Sequence, residues 1–244
     1  MTRMAALVYG VLAYVMFLGV ILYTIGFVGN LPFLPKTIDS GAPGTVAASI
    51  AIDLILLAIF GLQHSVMARQ GFKALWTRLV PHAIERSTYV LFANLAVILL
   101  LWQWRPLPAP VWTVRNPELA AVLAALPWAG WAIVLISTFL ISHFELLGLQ
   151  QVWQNLRRQS VEPQQFRTPL FYQLVRHPLY LGFIIAFWAT PAMSMGHLLF
   201  AVGSTAYIVV GMLLEERDLV AVFGQTYRNY QARVSMILPL PPRG

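Results

Sequence analysis

Near its carboxyl end the chain reads Arg176-His177-Pro178-Leu179-Tyr180-Leu181-Gly182, a guanidinium, an imidazole and a phenol set around a proline and a glycine. Proline at a first helical position costs no hydrogen bond, and the free N–H groups and positive dipole end of a helix starting there favour an anion such as a carboxylate. Tyr180 falls in that first turn, and Gly182 allows a second backbone or a ligand to come close. Anchoring at lipid headgroups would explain Arg176 and His177 but neither Pro178 nor Gly182. Beyond an apolar hairpin, Glu215-Glu216-Arg217 reads as the close of the returning helix. Carboxylates at a helix C-terminus oppose its dipole, so this pair calls for a cation. A ligand bearing an ammonium or sulfonium group with ribose hydroxyls is one source; Arg176 or Arg217 is the other. Tyr227 and Tyr230, three apart, share a helical face and could cover an adenine or stand as interfacial aromatics.

A second polar set falls at the inner ends of the earlier apolar stretches: Gln63-His64-Ser65 with Arg69, Glu85-Arg86-Ser87 with Tyr89, and His143-Phe144-Glu145 with Gln150. Each alone reads as a structural ion pair or a snorkelling anchor; together, beside the hairpin cluster, they could line a small polar chamber. His64 and His143 could also ligate a haem, but haem ligation leaves the hairpin motifs unexplained. His82 and His197 read as loop residues. No metal-ligand cluster is read, and the absence of cysteine excludes disulfides, thiolate metal sites and a cysteine nucleophile.

The elements that must position these groups are membrane helices. Of 244 residues 59% are hydrophobic and only 10% charged, far from the roughly one quarter charged of a soluble domain. The reading is all-α: a polytopic membrane helical bundle of five to six segments, with spans at 5–28, 45–67, 87–104 and 119–142, then a proline-broken pair at 179–190 and 197–214. The first stretch is too long for a signal sequence and is read as retained. Asp53 and Asn94 lie inside spans and should face the bundle, not lipid. The 179–190 segment is too short to cross unless Pro191 kinks a longer helix, and the chain should turn near Ser194–Gly196. Trp102-Gln103-Trp104 reads as an aromatic belt. One domain is expected over 1–244, with a four-helix membrane part over 1–147 and the hairpin with its C-terminal segment over 174–233.

Arginine and lysine set the orientation. With the N-terminus inside, Arg3, Arg69, Lys73, Arg78, Arg86, Arg157, Arg158, Arg167, Arg176, Arg217, Arg228, Arg233 and Arg243 are all cytosolic, and only Lys36, Arg105 and Arg115 fall outside. Both termini are then cytosolic. The net charge of +7 suits anionic lipid headgroups, and nothing in the chain resembles a nucleic-acid module. The sequence sets no oligomeric state.

The hairpin residues Arg176 to Gly182, Glu215-Glu216-Arg217, Phe223-Gly224, Tyr227 and Tyr230 resemble the C-terminal signature of the membrane methyltransferases related to isoprenylcysteine carboxyl methyltransferase and phospholipid N-methyltransferase. Upstream, Phe60 to Arg69, Glu85 to Tyr89, Trp102 to Pro106 and Ile141 to Trp153 resemble the bacterial methanethiol S-methyltransferases and, more loosely, the NnrU-like membrane proteins. That resemblance implies an enzyme of the bacterial inner membrane, methylating methanethiol, a small volatile thiol, to dimethyl sulfide with S-adenosylmethionine. It implies a cofactor site at the cytosolic face from Arg176, His177, Pro178, Tyr180, Gly182, Glu215, Glu216, Arg217, Tyr227, Tyr230 and Gln150. In that reaction His64 and Glu145 are the candidate bases, directly or through water, Arg86 or the donor's own sulfonium favours the thiolate, and Glu85 and His143 complete the candidate catalytic set. The alternatives are a prenylcysteine carboxylate or phospholipid amine as acceptor, or a non-catalytic or haem-binding NnrU-like protein.

Overall fold

The computed structural model describes residues 2–42, 44–159 and 166–239; Arg243 lies outside them. The described residues form an all-α membrane protein with one small strand pair, in two compact units.

The first unit comprises residues 1–108 and 142–163. It holds α1 (Arg3–Val28), α2 (Val46–Ala68), α3 (Gln70–Trp76), α4 (His82–Gln103), α6 (His143–Leu146) and α7 (Leu149–Arg157). Threonines start the first two helices: Thr2 Oγ1 accepts from the Ala5 N–H at 3.2 Å and Thr45 Oγ1 from the Ala48 N–H at 3.4 Å. Both α1 and α2 pack on α4, and α7 closes on α1, where Val152 lies so close to Gly10 that a Cβ there would stand 2.7 Å from it. The polar residues within the spans face inward as expected. Asn94 Nδ2 donates to the Ala13 carbonyl at 3.1 Å, and fully buried Asp53 accepts from the Arg105 N–H at 2.8 Å. The aromatic belt is half wrong. Trp102 is 68% exposed, but Trp104 is 1% exposed and sits edge-on to Phe27, because α4 ends at Gln103 and turns its next residue into the core. His82 is no loop residue; it opens α4.

The second unit comprises residues 109–141 and 164–244. It holds β1 (Pro110–Thr113), α5 (Pro117–Ile141), a 3-10 turn (Leu170–Gln173), α8 (Pro178–Trp188), β2 (Ala192–Ser194), α9 (Met195–Phe223) and α10 (Gln225–Arg233). Pro178 takes the first helical position of α8, as its spacing predicts. At 11 residues α8 rises only about 17 Å, short of a crossing, and Pro191 ends the element instead of kinking it. The turn therefore comes before Ser194. Residues 192–194 are a strand, paired antiparallel with β1 in the register Pro110↔Ser194, Trp112↔Met193 and Thr113↔Ala192. Ser194 Oγ then caps α9 through the His197 N–H at 3.0 Å. His197, expected in a loop, is buried in that first turn and donates from Nε2 to the Phe187 carbonyl at 2.9 Å, tying the start of α9 to the end of α8.

The helices long and apolar enough to span a membrane are α1, α2, α4, α5 and α9. Helices α5 and α8 cross almost backbone to backbone. A Cβ on Gly182 would meet the Gly130 carbonyl oxygen at 2.7 Å, and one on Gly130 would meet the Ala186 nitrogen at 2.7 Å. Of the two uses open to Gly182, a second backbone is the one realised. Trp131 seals the contact edge-on against Phe183 and Phe187.

Gly182→Ala should therefore cost about 1–3 kcal/mol, since neither backbone can yield to the added methyl. Gly19→Ala, with nothing within 4 Å of its Cβ, should cost nothing. Thermal unfolding of both variants in detergent checks the pair; equal midpoints would refute the close crossing.

Candidate functional site

The hairpin of the second unit brings together residues almost forty positions apart. Glu216, on α9, is the point of convergence. Arg176 Nε donates to its Oε1 at 2.6 Å, His177 Nε2 lies 3.2 Å from the same oxygen, Tyr227 OH reaches it at 3.5 Å, and Gln231 Nε2 donates to Oε2 at 2.9 Å. The Arg176 guanidinium also donates from Nη1 to the Gln231 and Val234 carbonyls, at 3.2 and 2.6 Å, so it caps the end of α10 as well. Its own backbone joins in: the Arg176 and His177 N–H groups donate to the Ser235 and Met236 carbonyls at 2.8 and 3.1 Å.

Glu215 is placed differently. One residue along α9, its side chain keeps 42% exposure against 10% for Glu216. Tyr180 OH donates to its Oε2 at 2.9 Å, and His177 Nδ1 stands 3.9 Å away, so the imidazole lies between the two carboxylates. Of the two cation sources left open, the chain's own arginine takes Glu216. Glu215 meets a phenol and an imidazole edge and stays accessible. Arg217 is exposed.

One premise falls. The glutamates do not close the helix, because α9 runs on to Phe223 and stops at Gly224, whose φ of +55° suits glycine. Residues 215 and 216 thus lie about two turns inside, beyond the reach of the terminal dipole. Desolvation, not the dipole, is what makes Glu216 need its partners.

Tyr227 and Tyr230 share a face as their spacing predicts, but both are buried beneath Phe166, whose ring meets them edge-on at 5.8 and 5.4 Å. Tyr230 OH donates to the Tyr172 carbonyl. Burial, then the negative charge of Glu216, raises the Tyr227 phenol well above its ordinary value, and burial pushes Tyr230 up to about 12 against the pull of Arg176. Burial and Glu215 raise Tyr172 likewise. All three phenols stay protonated at neutral pH.

In the first unit the second polar set divides in two. His64 meets the tilted rings of Phe60 and Tyr89, with centroids 5.3 and 5.0 Å away, and Arg86 lies over the Tyr89 ring with its guanidinium carbon 4.7 Å from the centroid. Arg86 Nε donates to the Leu146 carbonyl at 2.7 Å, which links α4 to the short α6. There His143 is buried, 3.0 Å from Tyr14 OH, with burial holding its imidazole below the ordinary pKa. Glu145 is half-buried on the same turn. Glu85 sits in the first turn of α4, where a carboxylate complements the dipole. Gln150 accepts from Ser142 Oγ at 3.3 Å.

Sequence reasoning missed Gln231, Phe166 and Tyr14. Gln231 is the next residue after Tyr230, and its helical position opposite Glu216 was the available signal; Phe166 and Tyr14 offered none, since apolar aromatics are common throughout the chain.

No family model and no solved structure matches the chain. It is 55% identical over 237 residues to methanethiol S-methyltransferase 1 of Bradyrhizobium diazoefficiens, covering 97% of this chain and 83% of that protein. It is 51% identical over 243 residues to the methanethiol S-methyltransferase of Mycobacterium tuberculosis, covering 100% and 99%. More distantly, it is 30% identical over 200 residues to nurim of Rattus norvegicus, covering 77% and 74%.

Glu216→Ala strands the buried Arg176 charge and should cost about 3–5 kcal/mol of stability, whereas Glu215→Ala should leave the unfolding midpoint near that of the unmodified chain. Alkaline pH tests the tyrosines. The folded chain holds the Tyr230 proton that the unfolded chain releases near 10.0, so stability should fall as pH rises from there toward about 12. A midpoint flat across that range in a pH series would contradict the burial of Tyr230.

Proposed function

The chain belongs to the family of the methanethiol S-methyltransferases, and from that premise we propose that it methylates methanethiol to dimethyl sulfide with S-adenosylmethionine, at the cytosolic face of the bacterial inner membrane. The observation that carries the proposal is identity of 49–55% over 97–100% of this chain, and over 83–99% of their own lengths, to proteins bearing that name.

The residues around Glu215 fit the methyl donor. An accessible carboxylate with a phenol and an imidazole beside it suits an ammonium group and its hydroxyl neighbours, and the start of α8 at Pro178 suits a carboxylate. We assign His177, Pro178, Tyr180 and Glu215 to contact with the donor. Arg176, Glu216, Tyr227, Tyr230 and Gln231 hold those four in place. Gly182 contributes by letting α5 close on α8. When bound, the donor supplies a sulfonium-activated methyl group and a neutral thioether as leaving group.

The chain's own work is on the thiol. Methanethiol is a weaker acid than a cysteine side chain, whose reference pKa is about 8.5, so at neutral pH a base must take its proton. His64 and Glu145 are the candidates, and the fixed guanidinium of Arg86 favours the anion that results. Because a thiolate would lose its charge against the donor's sulfonium, an environment poor in water would favour the reaction. Apolar residues over most of the chain provide that environment, and an acceptor of one carbon and one sulfur can reach it through lipid.

Headspace gas chromatography of the purified chain with methanethiol and S-adenosylmethionine is the test. Dimethyl sulfide should accumulate only when both are present, and its absence would end the proposal. His64→Ala should lower turnover at neutral pH by about 10²–10⁴-fold; unchanged turnover would pass the role of base to Glu145.

A further inference from the structure

Tyr89 touches both the proposed base and the proposed thiolate-stabilising cation. It stands on the same face of α4 as Arg86, three positions on. At 5% exposure its ring is part of a buried cluster with Met67, Val90 and Leu147. His64 lies against the ring with a centroid separation of 5.0 Å and a tilt of 49°, and the Arg86 guanidinium lies 4.7 Å from the centroid. The hydroxyl reaches the His64 backbone carbonyl at only 3.4 Å, the far edge of hydrogen-bonding range.

These distances separate the two functions a tyrosine can have. A phenol that moves protons needs a short contact to the reacting group, and the contact this hydroxyl makes with His64 is a long one to backbone. The ring, by contrast, meets both an imidazole and a guanidinium, and attracts the cation through its face. Arg86 has a second hold, its bond from Nε to the Leu146 carbonyl at 2.7 Å. The imidazole of His64 touches the rings of Phe60 and Tyr89, and it lies in the last turns of α2, where the helix ends at Ala68.

We propose that Tyr89 is a positioning residue for the methyl transfer: its ring, and not its hydroxyl, fixes the His64 imidazole in register with Arg86. The inference rests on the reading of His64 as base. Removing the ring should leave Arg86 tied to Leu146 while the imidazole turns away, which is a loss of orientation and not of substrate binding.

The experiment compares Tyr89→Phe, Tyr89→Leu and Val90→Ala in the full chain in detergent, with Tyr89→Met in place of Tyr89→Leu if the latter does not fold. Two readouts are taken: kcat and KM for methanethiol at saturating S-adenosylmethionine, and the rate at which diethylpyrocarbonate modifies His64, followed by peptide mass. Tyr89→Phe should keep kcat within about twofold of the unmodified chain, and Tyr89→Leu should lower kcat about 10²-fold with KM nearly unchanged, as expected for a misplaced catalytic group. His64 should be modified faster in Tyr89→Leu than in Tyr89→Phe. Val90→Ala, which loosens the same cluster while the Tyr89 ring stays in place, should keep its kcat. The proposal is overturned if Tyr89→Phe is as slow as Tyr89→Leu, if Tyr89→Leu turns over normally while His64→Ala does not, or if Val90→Ala loses as much as Tyr89→Leu. Normal turnover in His64→Ala would remove the base and not the contact, because the modification rates still report whether Tyr89 holds the imidazole.

Discussion

A carboxylate cannot be left alone in the interior of a membrane protein, and Glu216 organises the carboxyl-terminal part of the second unit through that constraint. Its two oxygens draw in a guanidinium and an imidazole from the residues before α8, and a phenol and an amide from α10. The guanidinium goes on to cap α10, and the backbone beside it joins residues 235 and 236. Segments far apart in sequence are thereby locked into one arrangement by a single buried charge. The consequence for function lies one residue away. Neighbouring positions on a helix point about 100° apart, so fixing Glu216 inward turns Glu215 toward the open side, with Tyr180 as its companion. A stable pair thus supports an accessible one.

The first unit is organised by packing and by the first turns of α4. Thr88 accepts from Tyr9 of α1 at 3.1 Å, Tyr89 covers His64 of α2, Arg86 holds Leu146, and Ser87 Oγ donates to the Gly148 carbonyl at 3.2 Å. Gly148 has a φ of +85°, and a side chain there would strike the Ser87 backbone. Four consecutive residues each grip a different element, so the positions of His64 and of α6 are both set from α4. The geometry around the proposed base depends on this helix start more than on any ion pair.

Much of this was legible in the sequence, and the failures have physical causes. Uninterrupted apolar length gave the spans, and Asp53 and Asn94 had to face inward because lipid offers no partner. Pro178 marked the start of α8 through its missing N–H. The end of α9 was misplaced because the charged residues 215–218 looked like a boundary, whereas Leu219 to Phe223 continue as good helix until Gly224 allows a stop. Trp104 looked like its neighbour Trp102, and only the turn after Gln103 decides that one goes inward and the other outward. The strand pair was missed because each strand is too short for alternation to register, and His197 because a histidine after glycine resembles a loop. Which glutamate would be satisfied internally was not readable at all; it depends on the rotation of α9 against α8 and α10, a tertiary quantity.

The division of labour between the two glutamates is tested most directly by calorimetric titration of S-adenosylmethionine into the purified chain and into Glu215→Gln at matched folding. A carboxylate that meets the donor's cationic group predicts clear binding to the unmodified chain and at least about tenfold weaker binding to the variant, the weight of one charge-assisted hydrogen bond. Equal affinity in the two would contradict the assignment of Glu215 as the contact that the buried pair exists to present.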